Sequence, residues 1–102
     1  MAFKFGPYFF TENGINGMTD RGGVYGLARA MGNRLYPIES FNILYVGKAV
    51  NLRKRLKEHL SNPPVTGVTH FFAESIGTEA DRINREYSLI QEFKPVGNTL
   101  LK

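Results

Sequence analysis

The chain has 102 residues, 42% of them hydrophobic, and carries a net charge of +4 at neutral pH. This length suits one domain with one modest core, and the hydrophobic content argues against intrinsic disorder. No apolar stretch approaches the roughly 20 residues of a membrane helix. A lysine and a glycine interrupt the apolar run that a secretory signal would need in the first ten residues. The chain has no cysteine, which excludes disulfides and thiolate metal sites. These features predict a cytoplasmic single-domain protein, residues 1–102, with no membrane contact.

The positive charge is concentrated in one segment, which contains five basic residues and one acidic residue: Lys48, Arg53, Lys54, Arg55, Lys57 and Glu58. The remaining eight basic and eight acidic residues cancel. A localised basic segment on a neutral domain indicates a polyanionic partner, nucleic acid first. A merely solvated helix face is an equally good explanation of the charge alone.

The apolar patterns predict three strands and two helices. Residues 22–28, 41–46 and 68–76 are short, apolar and rich in aromatic or β-branched residues, as strands are. Two helices are predicted to begin after the N-caps Asn51 and Thr78 and to end near Leu60 and Phe93. The order β-β-α-β-α indicates an α+β fold whose first two strands form an antiparallel hairpin. The aromatic residues near the N-terminus, Phe3 among them, are expected to pack on the sheet, with stacking on unpaired bases as the alternative.

The first predicted helix carries its basic residues on two different sides. Its buried stripe consists of Leu52, Leu56 and Leu60. Three basic residues, able to meet a phosphate backbone, fall on the opposite side: Arg53, Lys54 and Lys57. Arg55 and His59 lie one turn apart beside the stripe and can reach into a site on the sheet. A guanidinium at the core margin needs an anionic partner, whereas His59 fits a core-edge histidine as well as a functional one.

The second predicted helix places a carboxylate within its apolar arc. The arc consists of Ala80, Ile83, Tyr87, Ile90 and Phe93. Glu86 falls inside it, and a carboxylate in apolar surroundings is costly unless something binds it. A cation such as Arg55 and a metal ion are both candidates. A single carboxylate suits Mg²⁺, which keeps several water ligands.

With these residues placed, the chain resembles the GIY-YIG nuclease superfamily. Gly23-Val24-Tyr25 is similar to the first signature and Tyr45-Val46-Gly47 to the second. The following "KAVNLRKRLKEHL" is similar to the basic helix after the second signature, and "EYSLIQEFKPVGN" to the closing pattern. The resemblance covers residues 22–98, so residues 1–21 are expected to be an N-terminal extension that packs on the domain.

The resemblance implies a small three-stranded antiparallel sheet flanked by helices. It also implies an endonuclease, similar to the nuclease module of excision-repair and homing endonucleases, that uses Mg²⁺ or Mn²⁺ to hydrolyse phosphodiester bonds in DNA. One active site would nick one strand, so a double-strand cut would need a homodimer or two successive events. A DNA-targeting partner protein is the other expectation.

The resemblance also assigns roles to individual residues. Tyr25 and Tyr45 match the signature tyrosines, one of which would help to deprotonate water. Because a tyrosine with a pKa near 10 is a poor base, we expect Lys48 or the metal to perturb it. The remaining matches are Gly47, where the backbone comes close to the site, Arg55 on the scissile phosphate, Glu86 on the metal, Asn98 as support, and Lys48 and His59 as polar positions that are functional in many relatives.

One departure from the family pattern concerns the distance between the two signatures. Residues 26–44 separate them here, more than is usual, which predicts a longer hairpin loop because loop insertions cost little free energy. The extra loop could bring Arg29, Arg34 and Tyr36 to the substrate.

Two other classes of function compete with a nuclease. A nucleic-acid-binding module could keep the fold without cutting, although every catalytic position holds the expected residue type. A structural protein with a solvated basic helix would leave Glu86 in the apolar arc unexplained.

Overall fold

The computed structural model describes residues 3–31 and 40–98, together with the backbone of residues 99 and 100. The elements it contains are β1 (Tyr8–Phe9), α1 (Glu12–Asn16), β2 (Gly23–Met31), β3 (Ser40–Ala49), α2 (Leu52–Ser61), β4 (His70–Ser75), α3 (Glu79–Phe93) and α4 (Val96–Leu100). The predicted α+β class is confirmed.

The strands form one antiparallel sheet in the order β1-β4-β2-β3. The prediction of three strands is wrong in number within the described residues. The additional strand, β1, is only two residues long and pairs through Tyr8 with Phe71 and through Phe9 with His70. Two residues between turns are too few for alternation to show in a sequence, so β1 carried no signal.

The predicted hairpin of β2 and β3 is confirmed, but its strands are longer than the apolar runs suggested. The ladder continues to the pair Met31–Ser40. Arg29 is therefore a strand residue with an exposed side chain. Arg34 and Tyr36, the other residues of the expected loop, lie outside the described residues.

A β-bulge in the hairpin decides where the second signature points. Leu27 pairs with Tyr45 and Ala28 pairs with Ile43, so Leu44 is an extra residue in β3. In a regular strand, residues two apart share a face, and the extra residue reverses this relation. Ile43 consequently packs with the core on one face of the sheet, and Tyr45 packs on the other face with Tyr25.

Each face of the sheet has its own core cluster. The face covered by α1 and α2 buries Ile15, Tyr25, Leu27, Ala49, Leu52, Leu56, Phe71 and Ala73. The face covered by α3 buries Phe3, Val24, Ala28, Ile43, Val46, Phe72 and Leu89. The leucine stripe of α2 is confirmed, since Leu52 and Leu56 are fully buried and Leu60 packs at the edge of the first cluster.

The ends of the two long helices follow the sequence signals. The side chain of Asn51 accepts a hydrogen bond from the Lys54 amide, and that of Thr78 accepts one from the Asp81 amide, which confirms both N-caps. Helix α3 ends at Lys94, whose φ of 46° is left-handed and stops the helix before Pro95. None of the described helices is long and apolar enough to cross a membrane.

The apolar arc predicted for α3 is confirmed for Ile90 and Phe93, which pack against the core, and is wrong for its other residues. The fully buried residue of this helix is Leu89, whereas Ile83 and Tyr87 are 47% and 66% exposed. The observed buried face is turned by about 100° from the predicted one, the angle between neighbouring helical residues. Arg82 and Arg85 lie toward the sheet instead, where they bind the Ile76 carbonyl and the Glu74 carboxylate.

The start of the N-terminal extension packs on the face of the sheet that α3 covers, whereas α1, from the same extension, covers the other face. Phe3 is 4% exposed and stacks on Phe72 and Phe93, with ring centroids 5.6 and 6.0 Å apart. The expectation that the aromatic N-terminus packs on the sheet is thus confirmed for Phe3. Phe5 and Phe9 remain more than half exposed.

Candidate active site

The centre of the candidate site is a hydrogen bond between β2 and α2. The hydroxyl of Tyr25 lies 2.6 Å from Nε2 of His59. The two residues meet because Tyr25 points from β2 toward α2, and because His59 lies one position before Leu60, at the edge of the leucine stripe. This hydrogen bond fits both interpretations of His59, a histidine satisfied at the core edge and a functional one.

Tyr45 joins this pair from β3. Its ring centroid lies 6.3 Å from that of Tyr25 and 5.7 Å from that of His59. The two tyrosines are not opposite each other in the ladder, since Tyr25 pairs with Gly47 and Tyr45 with Leu27. Their side chains converge because the bulge turns Tyr45 to the same face of the sheet.

Gly47 provides the space that the Tyr25 ring occupies. A Cβ atom at this position would lie 2.6 Å from Cζ of Tyr25, closer than real Cβ contacts. Any side chain here would displace the phenol ring, and with it the hydroxyl that meets His59. The backbone does come close to the site at Gly47, as the resemblance implied.

Asn98 fixes β3 between the two halves of the second signature. Its Oδ1 accepts a hydrogen bond from the Val46 amide and its Nδ2 donates one to the Val46 carbonyl, both at 2.8 Å. The side-chain amide therefore pairs with the edge strand as a neighbouring strand would. Because Val46 separates Tyr45 from Gly47, this contact holds both signature residues in place.

The charge states of the central pair follow from burial. Burial raises the pKa of Tyr25 above its usual value, and Tyr45 adds to this while Arg55 opposes it. Burial and the charge of Arg55 lower the pKa of His59, with Glu58 opposing. Tyr25 therefore stays a phenol and His59 a neutral imidazole at neutral pH. Lys48 is not among the groups that shift the pKa of Tyr25, and the shift is upward, so the expected perturbation by Lys48 is not observed, whereas perturbation by a metal stays a prediction.

Arg55 lies beside this cluster, close enough to interact with the Tyr25 hydroxyl. Its Nε is 3.1 Å from Oε1 of Glu58, and its side chain is 45% exposed. Its anionic partner is thus a neighbour on the same helix, and Glu86 is not that partner. The positive charge of Arg55 lowers the pKa of Tyr25 and Tyr45, which burial raises, and it lowers the pKa of His59, as burial also does. The guanidinium is therefore close to all three residues.

Glu86 approaches the same cluster from α3, across the outer edge of β3. It is half-buried, and burial raises its pKa while Lys48 lowers it and Glu79 raises it. The pKa of Tyr45 is raised mainly by burial and next by the negative charge of Glu86. Among the described residues Glu86 forms no ion pair, because Lys48 donates instead to Glu79 at 2.9 Å.

The donor set fits a hard divalent cation held by one protein carboxylate. In the part of the chain that the structure describes, no three His, Asp or Glu side chains cluster as metal ligands. A half-buried carboxylate with a raised pKa is a group that gains from a bound cation. Mg²⁺ accepts a single carboxylate and keeps water in its other positions, so Glu86 is suited to it.

The basic residues on the outer side of α2 border an open groove of about 640 Å³. Its lining includes Arg53, Lys54 and Lys57, with Glu58 at one margin. Lys54 is exposed, as predicted. Arg53 is not fully available, because its Nε donates to the Met18 carbonyl at 2.9 Å.

The structure brings most of the predicted site residues to one region around the β2–β3 hairpin. Tyr25, Tyr45 and His59 are in contact, Arg55 borders them, and Glu86 influences Tyr45 from the other side of β3. Lys48 shares the face of Val24, its ladder partner, and approaches α3. The sequence analysis did not predict that Glu58 pairs with Arg55 or that Glu79 pairs with Lys48. The only signals in the sequence are the three-residue spacings from Arg55 to Glu58 and from Glu79 to Arg82.

Comparison with solved structures gives the fold a name. The GIY-YIG N-terminal endonuclease domain of UvrC from Thermotoga maritima, bound to magnesium as its catalytic divalent cation, matches with a TM-score of 0.62 over 81% of this chain and 89% of that one, at 21% identity. The chain has the GIY-YIG fold. The α+β antiparallel fold implied by the resemblance to the GIY-YIG superfamily is thereby confirmed, although no family model matches the chain.

Curated relatives of this GIY-YIG chain are named UvrABC system protein C. The protein from Saccharophagus degradans is 32% identical over 94% of the chain, and that from Bacteroides thetaiotaomicron is 36% identical over 80%. A third, from Caldicellulosiruptor saccharolyticus, is 35% identical over 63%. The chain spans only 12% to 16% of the length of these three proteins.

Proposed function

We propose that this chain is a metal-dependent DNA endonuclease that hydrolyses phosphodiester bonds and nicks one strand per active site. The observation that carries the proposal is the contact between Tyr25 and His59, with Tyr45 and Arg55 beside them. The neutral imidazole of His59 is hydrogen-bonded to the phenol of Tyr25, and the guanidinium of Arg55 lies beside that phenol. The pair can therefore transfer a proton at the place where the guanidinium would bind an anion. The similarity to UvrC endonuclease domains supports the same reading.

The neutral Tyr25–His59 pair supplies a route for the proton of the attacking water. The phenol oxygen accepts a proton from water as its own proton passes to Nε2 of His59, which becomes an imidazolium. The resulting hydroxide attacks phosphorus, the bond to the leaving oxygen breaks, and solvent protonates that oxygen. Because the phenol never becomes a free phenolate, its raised pKa is no obstacle.

Arg55 is the group that binds the scissile phosphate in this proposal. A guanidinium pairs with two phosphate oxygens through parallel hydrogen bonds. To do so it must exchange Glu58 for the phosphate, which is inexpensive because an exposed i,i+3 ion pair is weak. Its charge also disfavours protonation of His59 before the substrate arrives.

Glu86 would hold the Mg²⁺ or Mn²⁺ ion, which neutralises charge on the phosphate and the leaving oxygen when bound. Lys48 lies at the same edge of the sheet and contributes a second positive charge. Asn98 and Gly47 keep β3 and the Tyr25 ring in the geometry that this chemistry requires.

The groove along α2 offers a path for the DNA backbone beyond the cleaved bond. Lys54 and Lys57 border it on the side of the helix away from the leucine stripe. Contacts of lysine with phosphate release counterions and make binding fall steeply with salt. We infer that these residues bind DNA without reading its sequence.

Cleavage of supercoiled plasmid and of a branched duplex tests the proposal directly. The wild type should convert supercoiled to nicked plasmid with Mg²⁺ and not with EDTA. Glu86→Ala and Arg55→Ala should each lose at least about 100-fold in rate, a typical effect of removing a charge-stabilising group. Lys54→Ala is the matched control, expected to weaken binding while the rate at saturating DNA stays unchanged.

A DNA-binding module that does not cut is the second candidate function. One observation favours it: Lys48 and Arg55 are both occupied by glutamates in this structure. It predicts a salt-sensitive shift of DNA by the wild type with no nicking under any metal condition. Since the named relatives belong to a system of several proteins, we infer that a partner or a second copy brings this chain to DNA.

A further inference from the structure

A buried polar contact away from the active site joins α3, the helix that carries Glu86, to β4. Glu74 is 4% exposed and is the only buried charged residue among those the structure describes. It lies on β4 opposite Val24, on the face that α3 covers. A carboxylate in such a position must be bound by several donors to be tolerated.

Three donors bind the Glu74 carboxylate. Arg85 donates from Nε to Oε1 at 3.0 Å and from its terminal nitrogen to Oε2 at 2.8 Å, and the backbone amide of Lys4 donates to Oε2 at 3.0 Å. Two parallel hydrogen bonds between planar groups fix direction as well as distance. The fork thus sets how far α3 is turned about its own axis.

Apolar packing holds the second half of the helix, whereas the first half has exposed apolar residues. The hydrophobic pattern of α3 favours an inward-facing arc that includes Ile83 and Tyr87, yet both are exposed in the structure. Leu89 anchors only the second half of the helix in the core. In the first half, polar contacts link the helix to the rest of the domain: Glu79 accepts from Lys48 of β3, Arg82 donates to the Ile76 carbonyl, and Arg85 donates to Glu74.

Glu86 is the residue after Arg85, so the same rotation decides its position. A turn of the helix by about 30° would move a carboxylate about 6 Å from the axis by about 3 Å. Metal–oxygen distances tolerate only about 0.2 Å. A carboxylate that serves as the single protein ligand therefore requires a helix whose rotation is fixed.

The N-terminal extension completes this arrangement. Phe3 lies between the rings of Phe72 and Phe93 and over Gly26, where a Cβ atom would come within 2.6 Å of the Phe3 ring. Packing on Phe93 clamps the far end of α3 to the sheet. The next residue, Lys4, supplies the third hydrogen bond to Glu74.

We propose that Glu74, acting through Arg85, is a positioning residue for the metal-binding carboxylate of Glu86, and that residues 3 and 4 support it. The inference rests on the proposed function only in taking Glu86 as the metal ligand. Neither Glu74 nor Arg85 touches the reacting atoms. Both are required for the approach of Glu86 to the edge of β3.

The test is Mn²⁺ binding to the DNA-free protein, followed by paramagnetic broadening of backbone amide signals around Glu86. Arg85→Lys keeps the charge but loses the fork, and we expect the Mn²⁺ concentration for half-maximal broadening to rise by about 10-fold. Phe3→Ala should also raise the Mn²⁺ concentration for half-maximal broadening, but by less than Arg85→Lys does. Arg21→Lys, an exposed arginine outside the contact, is the matched control and should leave it unchanged.

The Mg²⁺ dependence of nicking separates positioning from a loss of fold. In Arg85→Lys the Mg²⁺ concentration for half-maximal rate should rise about as much as the Mn²⁺ midpoint, and excess metal should restore most of the maximal rate. Partial unfolding would lower the maximal rate at every metal concentration without moving the midpoint. Glu74→Gln gives the same information if it folds, and Arg85→Lys suffices if it does not.

The outcomes are distinguishable from those of the proposed function. Midpoints equal to wild type in Arg85→Lys would overturn the positioning role, whether or not the protein cuts DNA. The absence of Mn²⁺-induced broadening of the amide signals around Glu86 in the wild type would also overturn the positioning role. If Mn²⁺ binds at Glu86 and binds more weakly in Arg85→Lys, the positioning role is supported. If the same protein never nicks DNA, the proposed nuclease function is refuted while the positioning role stands.

Discussion

Tyr25 and His59 are 34 residues apart in the chain and form a 2.6 Å hydrogen bond at the base of the candidate site. The contact joins the first signature to the basic helix that follows the second. It depends on Gly47, which leaves room for the phenol ring, and on Leu56 and Leu60, which set the rotation of α2. Four predictions follow from the contacts around this pair and around Glu74.

The rate of nicking should fall at acidic pH because His59 must be neutral to accept the Tyr25 proton. Burial and Arg55 lower the pKa of His59, while Glu58 opposes them. The rate should therefore be constant near neutrality and decline below pH 6.5, the usual value for histidine. His59→Asn should lower the plateau about 100-fold. A pH–rate profile measures both effects, and an acidic limb that persists in His59→Asn would assign the titration to another group.

Substitution of Gly47 by alanine should disturb the site more than the fold. The new methyl group would overlap the Tyr25 ring and push its hydroxyl away from His59. We expect nicking to fall by at least about 10-fold, and stability to fall by about 1 to 3 kcal/mol, as for overpacked cores. Thermal unfolding and plasmid nicking measure the two effects. Gly77→Ala is the matched control, since a Cβ there meets nothing within 4 Å.

Replacement of Asn98 by alanine should loosen β3 between its two signature residues. Both hydrogen bonds to Val46 would be lost, at a cost of about 1 to 3 kcal/mol if the backbone groups stay unpaired. Hydrogen exchange of the Val46 amide should accelerate, and nicking should decrease as Tyr45 and Gly47 gain freedom. Asn98→Asp keeps the acceptor for the Val46 amide and should retain more of the protection. Equal exchange rates in wild type and Asn98→Ala would show that other contacts hold the strand.

The features of the fold that depend on local sequence were predictable. The caps at Asn51 and Thr78, the leucine stripe of α2 and the hairpin of β2 with β3 each have a signal within a few residues. The convergence of Tyr25 and Tyr45 was not predictable from alternation, because it requires the bulge at Leu44. A bulge is a relation between two strands, and neither strand alone encodes it.

The orientation of α3 shows where hydrophobic periodicity misleads. The pattern favours burial of Ile83 and Tyr87, whereas the structure turns Arg85 inward to meet Glu74. That partner is 11 residues away in another element, and no spacing rule links the two residues. Glu86, predicted inside the arc, is half-buried in the structure as well, because the predicted and observed faces share Glu86, Ile90 and Phe93.

The Glu74–Arg85 contact should give the stability of the protein an acid-sensitive component. Burial alone would raise the pKa of Glu74, but the hydrogen bonds from Arg85 and from the Lys4 backbone outweigh it, and the pKa lies below its usual value of 4.5. A group whose pKa is lower in the folded state stabilises the protein above the unfolded pKa, and this contribution disappears as pH falls through the folded one. The free energy of unfolding should therefore decline below pH 4.5.

Glu74→Gln isolates this component. At pH 7 it should destabilise the protein by about 3 kcal/mol, since the partly buried Arg85 then lacks its counter-charge. Below pH 4.5 its unfolding free energy should decline less steeply than that of the wild type, because the titrating group is gone. Urea unfolding at several pH values measures both curves, with exposed Glu12→Gln as the control. Parallel curves for wild type and Glu74→Gln would mean that Glu74 does not titrate in this range, contrary to its three hydrogen bonds.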